Sequence, residues 1–364
     1  MKRFPLILVM MVAVSALLYG SAVAQDVLPS FSQLSEGWNI LSPGGETTCA
    51  FGDPYRFFVH PGTENKLMLA FEGPFTCQDA QTCRALGTTN PYTYSVPDDD
   101  WRAYIGDVAG AEDFQENEGY LQLDHPDNPF QNYTVVFVPN CTFDANVGDN
   151  TVTYGEGDSA YTVNFKGYVN ASAAMNWVYA NVETPESIFL TGCDATVGAS
   201  LFHVPNLTHS YGGVPLVQVG TSGARLRDDY SLLFEQWGTM NVIADIPAFA
   251  DIAINELSVI SSYIAAAAAA PDAIFADVNT AHDADQAASE SNLPLSLADL
   301  HAEIPNFRSF TGWGNTSCIL FRPDFYTHQV DGVRLRDWVA ALAAGEDVED
   351  VQCTNCTTPE LDES

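Results

Sequence analysis

Positive charge is what this sequence has least of. Thirteen Lys+Arg stand against 47 Asp+Glu, for a formal net charge of -34. Nucleic-acid binders neutralise phosphates with clustered Lys and Arg, so that class is excluded. Docking on an anionic membrane is excluded for the same reason. Beyond the N-terminal segment only Lys66 and Lys166 remain as lysines. A surface this rich in carboxylates suits a setting where salt screens self-repulsion, and a saline source is expected. Long apolar runs are also missing after the N-terminus. The Ala-rich stretch 264–270 stops at Pro271 and reads as a helix end, too short to cross a bilayer. A hydrophobic fraction of 46% and an aromatic fraction of 12% rule out a disordered acidic tail and call for a folded core.

The N-terminus carries the one export signal. Lys2 and Arg3 precede an apolar run from Phe4 to about Tyr19, followed by Ser21-Ala22-Val23-Ala24-Gln25. Small residues at this spacing predict cleavage after Ala24, which makes 1–24 a signal peptide. The mature protein is then secreted or periplasmic, with no transmembrane segment left. Its cysteines are Cys49, Cys77, Cys83, Cys141, Cys193, Cys318, Cys353 and Cys356. An even number in an exported chain predicts a disulfide framework. Cys77 with Cys83, and Cys353 with Cys356, are close enough in sequence to pair locally. Zinc is the weaker reading of Cys353-Thr-Asn-Cys356, since no second such pair and no nearby His completes a ligand set, and no metal is expected.

Apolar runs and helical spacing alternate along the rest. Strands are expected at 56–59 and 66–71, joined at Pro61-Gly62, and at 134–138, 187–190 and 216–219. The run 134–138 is continuous enough for a central strand buried on both faces. Helices are expected at 171–181, from Ser296 to Glu303 with Ser296 as a cap, and from Leu335 to Ala344 with Gly345 closing it. This alternation predicts one α/β domain with a mostly parallel sheet flanked by helices. A lead segment at 25–45, the domain at 46–356 and an acidic tail at 357–364 complete the division. In such sheets chemistry gathers beyond the carboxyl ends of the strands. Cys141 and Cys193 both follow buried strands at that edge, so a Cys141–Cys193 bond is expected, with Cys318 as the partner of Cys49.

Gly192-Cys-Asp-Ala-Thr196 sits between a strand and a helix, where a hydrolase nucleophile elbow of pattern G-x-S-x-G would stand. Here Asp194 takes the Ser position and Thr196 the last Gly. Together with Thr48-Cys-Ala-Phe-Gly-Asp-Pro-Tyr-Arg-Phe-Phe-Val59, Lys66-Leu-Met-Leu-Ala-Phe-Glu-Gly73, Lys166-Gly-Tyr-Val-Asn-Ala171 and Phe325-Tyr-Thr-His-Gln-Val-Asp-Gly-Val-Arg-Leu-Arg-Asp-Trp338, this chain resembles the pectin acetylesterase family and its Notum-related carboxylesterases, most closely the bacterial secreted members. The resemblance implies an α/β-hydrolase fold and, in active members, a Ser-Asp-His triad that removes acyl groups, with no cofactor.

By that resemblance the three triad positions are Asp194, Thr221 and Ser317, and all three roles are vacated. The oxyanion positions would be Gly73, Pro74, Phe75 and Ala195. Proline has no N–H to give, and Phe75 adds bulk to a turn that is all glycine in the family. The family's Tyr-Cys-Thr-Gly-Asp-x-His run stands here as Asn140-Cys-Thr-Phe-Asp-Ala-Asn146. The implied function is an exported, catalytically degenerate member that keeps the scaffold and cleft for binding a polysaccharide, an acylated ligand or a protein. The alternative is an active carboxylic-ester hydrolase built on Asp194 with a relocated base among His60, His125, His203, His209, His282, His301 and His328. Asp194 as a plain helix cap, and Pro74-Phe75 as filling for a vacated cleft, are the simpler expectations.

Overall fold

The most apolar stretches of the chain form the middle of one sheet. In the computed structural model, which describes residues 28–73, 75–88, 94–98, 119–226, 230–283, 292–354 and 356, nine strands hydrogen-bond side by side. In chain order the strands are β1 (Asn39–Leu41), β2 (Phe57–His60), β3 (Lys66–Glu72), β4 (Thr134–Pro139), β5 (Asn150–Tyr154), β6 (Tyr161–Phe165), β7 (Ser187–Cys193), β8 (Leu216–Thr221), β9 (Ile274–Thr280), β10 (Phe307–Gly312), β11 (Gln329–Val330), β12 (Val333–Arg334) and β13 (Val351–Gln352). The large sheet runs β1-β2-β4-β3-β7-β8-β9-β10-β13. From β4 to β13 every neighbouring pair is parallel, while β1 and β2 add an antiparallel edge.

All of β4 and β8 is buried, as strands covered on both faces must be. The cover comes from α1 (Ala80–Leu86), α2 (Gly167–Asn181), α3 (Thr196–Ser210), α4 (Ser231–Trp237), α5 (Thr239–Ala244), α6 (Val259–Ala269), α7 (Leu293–Glu303) and α8 (Leu335–Ala343). This is an α/β-hydrolase fold in a single domain. β1 lies ahead of position 46, so the sheet takes in part of the lead segment. The expected signal peptide at 1–24 and the expected tail at 357–364 lie outside the described residues. Among the described residues no helix is long and apolar enough to cross a membrane.

Two local readings change. β2 and β3 follow each other through Pro61-Gly62 but do not pair, because β4 inserts between them. Gly62 is required there: a Cβ would lie 2.3 Å from the Tyr133 carbonyl carbon at the entry to β4. Ser296 does not cap a helix. α7 starts three residues earlier with Pro294 in its first turn, where the missing N–H removes no helical bond, and Ser296 is buried inside it.

The disulfides are Cys49–Cys141, Cys77–Cys83, Cys193–Cys318 and Cys353–Cys356. The two local pairs are as the spacing predicts. The expected Cys141–Cys193 and Cys49–Cys318 bonds are not formed. Their premise was that β4 and β7 are neighbours, and β3 lies between them. Cys141 instead meets the loop before β2, and Cys193 meets the loop after β10.

Candidate functional site

The site is built where β7 turns into α3. Asp194 holds the tip in the left-handed region, with φ +48°. Its N–H donates to the Thr221 carbonyl at 2.9 Å, and its own carbonyl accepts from Val197 N–H at 3.2 Å. The turn is sharp enough that a Cβ on Gly192 would sit 2.6 Å from the Thr196 carbonyl oxygen. This is the geometry of a nucleophile elbow, a strained residue presented between a strand and a helix. It is not that of a cap. The cap position falls on Ala195, and N-caps take extended φ/ψ, not left-handed ones.

Thr196 does not crowd the elbow. Its hydroxyl accepts from Cys193 N–H at 2.9 Å and lies 2.6 Å from the Phe71 carbonyl and 2.7 Å from that of Cys193. It ties β3, β7 and α3 together. Thr196→Gly is therefore expected to lower stability by about 2–3 kcal/mol, from a lost buried hydrogen bond and added chain entropy. Denaturant unfolding of the variant checks this, and an unchanged midpoint would show the hydroxyl to be dispensable.

Thr221 and Ser317 reach the same edge. Thr221 ends β8 directly beside Cys193, and both Thr221 and Ser317 are buried. The Cys193–Cys318 bond draws the loop after β10 to the elbow, so the Asp194 Oδ2 lies 3.5 Å from Cys318 Sγ. Cys193, Asp194 and Cys318 lie close enough to suggest a metal donor set, but the disulfide uses both sulfurs, which leaves no thiolate.

Two carboxyl groups there were given no role in the sequence reading. Asp283, beyond β9, accepts from the Ser222 hydroxyl at 2.7 Å. Ser222 is itself left-handed, at φ +61°, and accepts from Cys318 N–H at 3.2 Å. This latch joins the ends of β8, β9 and β10. It was missed because β9 had not been recognised as a strand. Glu72 ends β3 and is 2% exposed, with Tyr120 donating to its Oε1 at 2.7 Å. Burial pushes its carboxyl up to about 8. The Tyr120 hydrogen bond opposes this, the Asp194 charge adds to it, and the Arg322 charge opposes it.

Asp144, an acid of the loop after β4, serves the scaffold. It accepts from Thr142 Oγ1 at 2.7 Å and from Gly167 N–H at 2.8 Å, at the start of α2. Gly73 is fixed by close approach, since a Cβ there would meet Asn140 Cβ at 2.5 Å. Pro74 lies outside the described residues. Phe75 does not fill a cleft. It turns outward at φ +70° and is 58% exposed.

Six of the seven histidines are engaged or placed away from the elbow, and the exception is His282, in the loop after β9 beside Asp283. His203 stacks between Phe71 and Tyr168, and burial lowers it to about 4. His328 stacks on Trp313, His125 on Tyr326, and His60 meets Trp38 edge-on. His301 lies 3.2 Å from Ser309 Oγ, and His209 is at the far end of α3. The backbone N–H of His282 bonds the Gly314 carbonyl. A groove of about 770 Å³ opens at the opposite edge, lined by Lys66, Ser187, Leu216 and Ile274, the first residues of β3, β7, β8 and β9.

The strand order and the elbow define a hydrolase-type scaffold. Among solved structures, the chain is similar to two crystal forms of the Wnt deacylase Notum from Drosophila. For form I the identity is 14% and the TM-score 0.57, covering 87% of this chain and 97% of that one. For form II the identity is again 14% and the TM-score 0.62, covering 88% and 96%. The fold is thus shared with Notum over nearly the whole domain. No family model matches the chain, and no curated protein matches it.

Proposed function

We propose that this is an exported Notum-like protein that has lost serine-esterase chemistry and uses the edge around Asp194 to bind a ligand. Export rests on the leader sequence and accords with four disulfides. The observation that carries the rest is the residue at the elbow tip. Asp194 has the left-handed backbone of an elbow tip but offers no hydroxyl, and Thr221 and Ser317 stand where the resemblance puts the other two triad members. In hydrolases, loss of the nucleophile or the base lowers turnover by about 10⁴ to 10⁶. What the site offers a ligand is carboxyl groups. A polysaccharide, an acylated molecule or a protein surface could meet them.

The expected result is no turnover of para-nitrophenyl acetate or acetylated pectin above an Asp194→Ala control, and no labelling by a fluorophosphonate. An adduct on Ser222 or Ser317 would overturn the reading. A second reading, hydrolysis through Asp194 itself, is favoured by one observation: the left-handed φ of the elbow is maintained at Asp194, which plain capping does not require.

A further inference from the structure

Three metal-ligating side chains converge where β7 ends. Cys193 closes β7, Asp194 is the elbow tip, and Cys318 comes in from the loop after β10. Their ligand atoms all lie within 4.8 Å of one another, and among the described residues no other group of His, Cys, Asp or Glu does so. Zinc bonds a thiolate at about 2.3 Å and a carboxylate oxygen at about 2.0 Å, so two such donors on a tetrahedron stand about 3.5 Å apart. Asp194 Oδ2 and Cys318 Sγ are 3.5 Å apart. The Ser317 hydroxyl reaches the same sulfur from 3.7 Å. A disulfide sulfur is a weak acceptor, whereas a thiolate would use that contact in full, as metal ligands use their outer partners.

We propose that the Cys193–Cys318 bond is a redox switch over a zinc site, in which thiols open the bond and Cys193, Cys318 and Asp194 then bind one zinc ion. This deepens the reading of the Asp194 edge as a ligand site and rests on it. Two external thiols reduce the bond. Their sulfurs join each other, and two electrons and two protons pass to Cys193 and Cys318. Zinc displaces both protons to solvent and is held by two thiolates and one carboxylate, with water in the fourth position. Loss of zinc and re-formation of the disulfide by an external disulfide reverse the sequence. Thiolates select zinc over calcium and magnesium, which want six or more oxygens.

The donors keep their places when the bond opens, because other links hold them. Asp194 and Cys318 are both left-handed, at φ +48° and +54°. Cys318 N–H donates to Ser222 Oγ at 3.2 Å, and the Ser222 hydroxyl donates to Asp283 at 2.7 Å, so the loop after β10 stays tied to β8 and β9 without the disulfide. The two sulfurs need only part to about 3.8 Å, which rotation about their Cα–Cβ bonds supplies. Cys193 and Asp194 are half-buried, which gives both a thiol and an ion a route in. The bound ion cross-links the same two segments that the disulfide joined.

The test uses the full mature chain with Cys353→Ser and Cys356→Ser, since that pair would also take metal once reduced. Cobalt(II) is the probe, read by its thiolate charge-transfer band. The thiol-reduced, desalted chain should bind one cobalt, displaced by zinc, and the oxidised chain none. Removing an outer partner of a ligand costs about 10-fold or more in affinity, which is the loss expected for Ser317→Ala, and loss of a ligand in Asp194→Asn should exceed about 100-fold. Asparagine keeps a residue tolerant of the left-handed turn. In a glutathione couple, free zinc held at about 100 times its Kd should raise the ratio of reduced to oxidised Cys193 about 100-fold, read by alkylation and peptide mapping. No cobalt band in the reduced chain overturns the proposal. So does a band that survives unchanged in Asp194→Asn or Cys193→Ser, or a reduced chain that circular dichroism shows to have unfolded with cobalt present. A Cys193 redox ratio indifferent to zinc is equally decisive against it. Fluorophosphonate labelling of Ser222 or Ser317 would fail the serine-loss reading on its own, whatever the cobalt spectrum shows.

Discussion

Glu72→Gln is expected to make the protein more stable than the wild type above pH 8, by about 3–5 kcal/mol at pH 9. The sign follows from where the proton sits. In the unfolded chain Glu72 titrates near its ordinary 4.5, and in the folded chain near 8. Below pH 4.5 the carboxyl is neutral in both states and the wild type has the full benefit. Between the two values the unfolded chain has lost the proton and the folded chain still holds it, so stability falls steadily as pH rises. Past about 8 the folded state must bury a charge, and the loss is complete. Glutamine carries no proton to lose and is free of this slope. Unfolding free energies of both proteins from pH 4 to 9 check the expectation. Curves that run parallel across that range would show that Glu72 is not held neutral by burial. A residue whose removal stabilises the fold at the pH where it becomes charged is one kept for a reason other than stability.

Breaking Cys193–Cys318 by paired serine substitution is expected to lower stability by about 4–5 kcal/mol, while breaking Cys353–Cys356 costs about 1–2 kcal/mol. The sequence separations are 125 and 3, and a longer closed loop removes more freedom from the unfolded chain. The long bond also joins the elbow to the loop that carries Ser317. Its loss should therefore loosen both sides of the Asp194 site, which proteolysis near position 318 would report. Chemical denaturation of the two double variants decides the ranking. Equal losses would mean that the unfolded chain is not behaving as a flexible loop between these cysteines.

The class of fold and the identity of the elbow were legible in local residue patterns. A short continuous apolar run such as 134–138, β-branched and closed by Pro139, reads as a strand covered on both faces, and a chain that alternates such runs with helices builds a parallel sheet. Gly192-Cys-Asp-Ala-Thr196 between a strand and a helix carries its turn in local residue types, so Asp194 at the tip was legible. Cys77–Cys83 and Cys353–Cys356 were legible because few residues separate each pair. The strand order was not. Placing β3 between β4 and β7 depends on long-range packing, and that one insertion decides that Cys141 bonds Cys49 and that Cys193 bonds Cys318. The chemistry of Glu72 was hidden for the same reason. A glutamate at a strand end has an ordinary carboxyl in sequence. It becomes a neutral acid only because tertiary structure removes water from it and brings Tyr120, Asp194 and Arg322 from distant segments to its side. Asp283 meets Ser222 across 61 residues, and Thr196 takes up Phe71 across 125, distances that no local pattern records. Local periodicity fixes which segments become strands and helices. Burial and register, which belong to the whole chain, fix what the side chains at their ends can do.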